Sequence, residues 1–237
     1  MAYRYKPKVP QSQAPPQIPF VEYYPHTIPK SERNWSGDYY QTVSIDPAKN
    51  HYGIRIERSY RHGATIPIVY DKQNIDGEPE KGSEDPVNKT YDNLTNLLNK
   101  YKKYYEDCHY IIIERQLPFN YKIVRIEQHT VSYFGFICSN QKTLPSILCV
   151  DSQLKGKMLG APKGLNENQT KQWSVEKAIE ILKIRGDTFS LEVLEKTKKK
   201  DDLADIITQK VALFRKLELL EYEEAFFRHA GYLTDAS

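Results

Sequence analysis

Cysteine is scarce in this sequence: Cys108, Cys138 and Cys149 are the three in 237 residues. An odd number with no C-x-x-C spacing argues against both a disulfide framework and a zinc site, and favours a reducing, intracellular compartment. The histidines, His26, His51, His62, His109, His129 and His229, show no H-E-x-x-H or paired metal spacing, so no zinc chemistry is expected of them. The stretch "GKMLGAPKG" lacks the spacing and the hydroxyl of a phosphate-binding loop. No nucleotide cofactor is expected, and any motor must be another protein. No apolar run approaches the roughly 20 residues of a membrane span, and the polar N-terminus has no apolar signal core. The N-x-S/T matches at Asn34, Asn88, Asn93 and Asn168 therefore carry no weight as glycosylation sites. Charge is nearly balanced too, with 34 Lys and Arg against 31 Asp and Glu. Such a total neither requires nor excludes a nucleic-acid partner, because binding needs clustered cations.

What is present is one domain's worth of alternating elements. Residues 1–36 are rich in Pro, Tyr and basic side chains without sustained periodicity, and read as a flexible arm. From residue 37 the pattern sharpens. "QTVSID" and "YGIRIE" alternate apolar and polar positions around the turn "DPAKNHYG", giving a hairpin, and "TIPIVYD" adds a third strand. "KQNIDGEPEKGSEDPVNKT" reads as a loop. Leu94, Leu97, Leu98 and Tyr101 then fall on one helical face between Tyr91 and Tyr105. The run from Tyr110 to Ile113 has the continuous apolarity of a central strand buried on both faces, and it ends in Glu114. A helix through Ile123, Ile126, Thr130 and Tyr133 leads to a short buried strand, Ile147 to Val150. In "WSVEKAIEILKIRG", Ser174 is the expected N-cap and Gly186 the stop. The last strong helix, from "DDLADII", presents Leu203, Ile206, Ile207, Lys210, Leu213, Phe214 and Leu217 on one side. The expected fold is α/β: a mixed five-stranded sheet, three antiparallel strands then two parallel, flanked by helices. The domain runs over 37–221, and 222–237 reads as an appendage.

This order gives the carboxylates positions. Asp46 ends the first strand and Glu114 the buried fourth. Neighbouring strands lie about 4.8 Å apart, so acids at comparable strand ends can share one ion. Asp202 and Asp205, three apart, lie on one helical face, as would Asp201 with Asp205 at four apart. Four converging carboxylates repel and lose solvation, at a cost of several kcal/mol per unpaired ion. Divalent cations resolve that conflict. An all-oxygen ligand set suits Mg²⁺ or Mn²⁺, and two such ions about 4 Å apart serve phosphodiester hydrolysis.

The segments "SIDPAKNHYGI", "YIIIERQ" and "KKKDDLADII" resemble, in order, the three acidic motifs of the RuvC-like Holliday junction resolvases of the RNase H-like superfamily, over residues 41–220. The branches of large eukaryotic DNA viruses and fungal mitochondria are the most similar. The resemblance implies an RNase H-like fold and a homodimer that nicks opposed strands of a four-way DNA junction near its crossover. It implies metal ligation and catalysis by Asp46, Glu114, Asp202 and Asp205, with Asp201 the alternative to Asp202, and two Mg²⁺ per site for which Mn²⁺ can substitute. Lys155, in "VDSQLKGKMLG", matches the active-site lysine. A viral source is implied, with host cytoplasm or nucleus as location.

Each residue also has a plainer reading. An Asp at a strand end is commonly a turn residue; Glu114 could pair with Arg115 or Arg125; Asp201 and Asp202 could simply favour a helix N-terminus. Lys155 and Lys157 could be ordinary surface lysines, and Lys198, Lys199 and Lys200 either a solvated run or a grip on phosphates. The functional alternatives are a noncatalytic relative that binds branched nucleic acid, and another RNase H-like nuclease acting on RNA·DNA hybrids or in transposition.

Overall fold

The computed structural model describes residues 22–23, 38–76, 86–141 and 144–233. Residues 1–21, 24–37, 77–85, 142–143 and 234–237, which include most of the arm and part of the loop expected from the sequence, lie outside them. The strands are β1 (Glu22–Tyr23), β2 (Tyr39–Asp46), β3 (Tyr52–Tyr60), β4 (Thr65–Gln73), β5 (Tyr110–Arg115) and β6 (Ser146–Asp151). The helices are α1 (Pro86–Lys100), α2 (Tyr121–Cys138), α3 (Gln153–Leu159), α4 (Glu167–Arg185), α5 (Thr188–Lys196), α6 (Asp201–Lys216) and α7 (Glu224–His229).

Five strands carry the expected mixed sheet. β2, β3 and β4 are antiparallel neighbours, while β5 pairs parallel with β2 and with β6. The order across the sheet is β1-β6-β5-β2-β3-β4. The two-residue β1, from the arm read as unstructured, adds a parallel edge to β6 at Leu148 and Cys149. The last strand at the other edge, β4, carries Pro67, which lacks a donor and is tolerated there.

Alternation along the strands divides the interior into two layers. Val43, Ile45, Ile54, Ile56, Ile111 and Ile113 pack with α1 and α2. Tyr110, Ile112, Leu148 and Val150 face the layer that contains α3 to α7. At its heart lies α6, with Leu203, Ile206, Ile207, Val211, Leu213 and Phe214 all buried. Each such side chain stabilises the fold by about 1.5–3 kcal/mol relative to exposure. That burial locks the start of α6, and with it Asp202 and Asp205, against the sheet.

Several expectations need correction. The first helix begins at Pro86 rather than Tyr91, and its last stretch tightens into a 3-10 turn, Lys102–Tyr104. Helices α3 and α5 were not anticipated; both are short, seven and nine residues, too brief for a periodic signal. Ser174 is not an N-cap. Helix α4 starts at Glu167 behind Asn166, whose side chain accepts from the Gln169 amide while Gln169 reaches back to the Asn166 amide. The segment read as an appendage packs into the core instead: Tyr222, Phe226 and Phe227 are buried in the α6 layer.

The same layer holds a buried ionic network. Strand β3 turns Arg55, Glu57 and Ser59 toward α6, the polar phase of its alternation. Arg55 pairs with Glu57 and, at 2.8 Å, with Asp187. Arg185 pairs with Glu223 at 2.6 Å, and Lys210 with Glu57 at 3.1 Å and with Glu223. Three cations face three anions, so the desolvation of each charge is offset by a direct partner.

Candidate metal centre and nuclease site

Strand register brings the first two acids together. Ile45 pairs with Ile113 in the parallel β2–β5 ladder, so the residues that follow, Asp46 and Glu114, stand side by side on the face toward α6. The antiparallel partner of Asp46 is Gly53. A Cβ on Gly53 would lie 3.4 Å from the Asp202 carbonyl oxygen, 3.7 Å from Ile206 Cδ1 and 3.8 Å from Asp46 Cβ. A small residue at this position thus lets the first turn of α6 settle over the end of β2 and β3, delivering Asp202 and Asp205 to the same sheet edge.

Lys155 sits among these acids. It is buried in α3, which follows β6 after a single residue, Ser152. Its ammonium lies 2.6 Å from Asp205 Oδ2 and 3.1 Å from Glu114 Oε2. Burial opposes its charge, but Glu114 and Asp205 outweigh that and hold its pKa above the ordinary value. The plain reading of Lys155 as a surface lysine is excluded, whereas Lys157 and Lys198 are exposed as that reading expects.

Electrostatics mark Asp46 as the strained member. Burial raises its carboxyl well above the usual range, and the charges of Glu114, Asp205 and Asp202 raise it further against the pull of Lys155. The Glu114 carboxyl is raised as well, chiefly by burial, although Lys155 works against this. Asp202 is buried and receives Lys199 Nζ at 2.7 Å on Oδ1, while Lys72 Nζ stands 3.6 Å from Oδ2. Asp201 is partly exposed and acts on Lys199 and Lys171, whereas Asp202 is the one whose charge is felt at Asp46.

The donor set fits a hard divalent cation: it consists of carboxylate oxygens, with neither imidazole nor thiolate. Asp202 Oδ2 is buried without a hydrogen-bond donor, an acceptor with capacity for a cation. The acids are within electrostatic reach of one another, yet among the described residues no three His, Cys, Asp or Glu side chains already converge as a ligand cluster. Lys155 occupies the space between Glu114 and Asp205.

Three contributors escaped the sequence reading. Gly53 was visible only as a turn-proximal glycine; its place opposite Asp46 needs the register. Ser174, taken for a cap, is buried inside α4 and donates to Asp205 Oδ1 at 2.5 Å. Lys72, on β4, reaches both Asp202 and, at 2.7 Å, the Lys199 carbonyl.

No family model matches the chain. It is 30% identical over 153 residues to the uncharacterized protein 170L of Invertebrate iridescent virus 6, across 55% of this chain and 61% of the viral protein. The chain thus spans less than two thirds of that relative's length. Among solved structures it is similar to the yeast mitochondrial Holliday junction resolvase Ydc2, with a TM-score of 0.54 at 14% identity, covering 83% of this chain and 87% of that one. Thermus thermophilus RuvC in complex with a Holliday junction substrate is a looser likeness, with a TM-score of 0.43 at 12% identity over 81% of this chain and 96% of RuvC. The fold is therefore that of the Ydc2 structure, the RNase H-like mixed sheet flanked by helices expected from the sequence.

Proposed function

We propose that this chain is a Holliday junction resolvase: a Mg²⁺-dependent, structure-selective endonuclease that cuts four-way DNA junctions in recombination, repair or viral genome processing. The observation that carries the reading is the gathering of Asp46, Glu114, Asp202 and Asp205, from two strands and one helix, at one sheet edge around a buried lysine. The Ydc2-like fold supports it.

In this reading Asp46, Glu114, Asp202 and Asp205 hold two Mg²⁺ ions, Mn²⁺ being able to substitute. Bound there, the ions supply an activated water and neutralise the leaving oxygen. The protein's own part is electrostatic. Glu114 and Asp205 aim the Lys155 ammonium along the sheet edge, where it stabilises negative charge that grows on a scissile phosphate. Lys157, Lys198, Lys199 and Lys200 flank the edge and contact phosphates without reading bases, so junction shape rather than sequence selects the substrate. Two copies of the chain as a symmetric homodimer place two such sites on opposed strands. In this reading the source is viral, which the viral relative supports, and the chain acts in host cytoplasm or nucleus.

A noncatalytic junction-binding protein is the second reading, favoured by the engagement of Glu114 and Asp205 with Lys155 and by the unconverged acids. One panel separates them: a labelled four-way junction, a matched duplex and an RNA·DNA hybrid, each with Mg²⁺ or EDTA. Symmetric nicks confined to the junction and abolished by EDTA are the expected result. Tight junction binding without cleavage in Mg²⁺ or Mn²⁺ selects the second reading, and preferred cutting of the hybrid overturns the substrate.

A further inference from the structure

Ser174 is an unusual tenant of a helix interior. Serine lowers helix propensity, and a mid-helix hydroxyl ordinarily returns its proton to the carbonyl four residues earlier or points to solvent. Ser174 does neither. It is 1% exposed, and its Oγ lies 2.5 Å from Asp205 Oδ1 and 3.2 Å from Thr208 Oγ1. The proton count fixes the direction. Asp205 as a carboxylate can only accept, so the single Ser174 proton goes to Oδ1. Thr208 also sits within reach of the Ala204 and Asp205 carbonyls, at 3.2 and 3.1 Å, and can spend its own proton there or on Ser174 Oγ. The other oxygen, Asp205 Oδ2, faces Lys155. The two oxygens of one carboxylate are thus held from opposite sides, one by α4 and one from the acidic edge.

We infer that Ser174 is a positioning residue for Asp205: it anchors Oδ1 on the α4 side, so that Oδ2 is the oxygen offered to a divalent cation. This rests on the metal-dependent reading proposed above. A hydrogen bond to the outer oxygen fixes the rotation of a ligating carboxylate and raises the share of time it spends aimed correctly. Loss of such support typically weakens metal affinity by about 10–100-fold. The competing account is that Ser174 merely clips α4 to α6, in which case its loss lowers stability and leaves the ion unaffected.

The test is an electron paramagnetic resonance titration of Mn²⁺ into the full chain as wild type, Ser174→Ala and Ser174→Cys, beside urea unfolding of each without metal. Cysteine keeps the size of serine with a weaker donor. The expected result is Mn²⁺ affinity about tenfold weaker in Ser174→Ala, with Ser174→Cys between it and wild type, whatever the change in unfolding midpoint. Equal Mn²⁺ affinity in wild type and Ser174→Ala, with only the unfolding midpoint lowered, overturns the positioning role and leaves the metal site standing. Failure of the wild type itself to bind Mn²⁺ overturns the metal reading and this inference with it.

Discussion

Two clusters of charge lie on the same face of the same sheet, along the same helix. At one end Asp46, Glu114, Asp202 and Asp205 crowd the sheet edge; further along α6, Arg55, Arg185 and Lys210 meet Glu57, Asp187 and Glu223. The inner cluster balances three cations against three anions, and its electrostatics reward ionisation: Arg55, Arg185 and Lys210 together outweigh burial and hold the Glu57 carboxyl far below the usual range. The outer cluster is unbalanced. Lys155 meets Glu114 and Asp205, and Lys199 and Lys72 meet Asp202, yet Asp46 is driven the opposite way from Glu57. A fold gains nothing from an unbalanced set of buried acids; in the proposed reading the imbalance is the end kept for a cation, and the balance marks the end that holds the helices in place.

The contrast can be broken most forcefully at Lys210. Lys210→Met leaves Glu57 and Glu223 with an uncompensated charge in the interior, so urea unfolding should show a loss of about 3–5 kcal/mol. A loss below about 1 kcal/mol, the worth of an exposed pair, would mean the inner network is not structural.

Next in size is the effect of overfilling the contact between the two hairpin strands and α6. Gly53→Ala should be tolerated, because its Cβ meets the Asp202 carbonyl at an ordinary 3.4 Å. Gly53→Val has no room beyond that carbon and should cost about 1–3 kcal/mol while weakening Mn²⁺ binding. Unchanged Mn²⁺ binding in Gly53→Val would show that the helix start need not lie so close.

The pH response sharpens the comparison. Glu57 has a folded pKa below its unfolded one, so it contributes stability at pH above the unfolded carboxylate value, and that stability is lost as pH falls through the folded value. Asp46 has a folded pKa above its unfolded one, so its contribution is present in acid and lost as pH rises. At pH 7 without metal, Asp46→Asn should therefore raise the unfolding midpoint, by at least about 2 °C for each kcal/mol relieved, whereas Glu57→Gln should lower it. Midpoints that move in the same direction would contradict the contrast.

The outer cluster was legible in the sequence because each part follows a local rule. Alternation through Val43 and Ile45 sets the phase of Asp46, the apolar run from Tyr110 does the same for Glu114, and three-residue spacing joins Asp202 to Asp205. The inner cluster obeys no local rule. Arg55 and Asp187 are 132 residues apart, and nothing near either foretells their meeting. Lys210 appeared on an apolar helical face without its partners, one of which, Glu223, lay in a segment read as an appendage. Ser174 was misread because a serine before an apolar run carries the signature of a cap; the true start lay eight residues earlier, where Asn166 and Gln169 carry the stronger reciprocal one.

The most direct test is the cleavage of a labelled four-way junction in Mg²⁺ by wild type and Asp46→Asn, with junction binding measured in EDTA. The account predicts paired nicks by the wild type and a rate more than about 100-fold lower for Asp46→Asn, beyond what loss of a merely supporting group produces, with binding retained. Equal cleavage by the two proteins would contradict it.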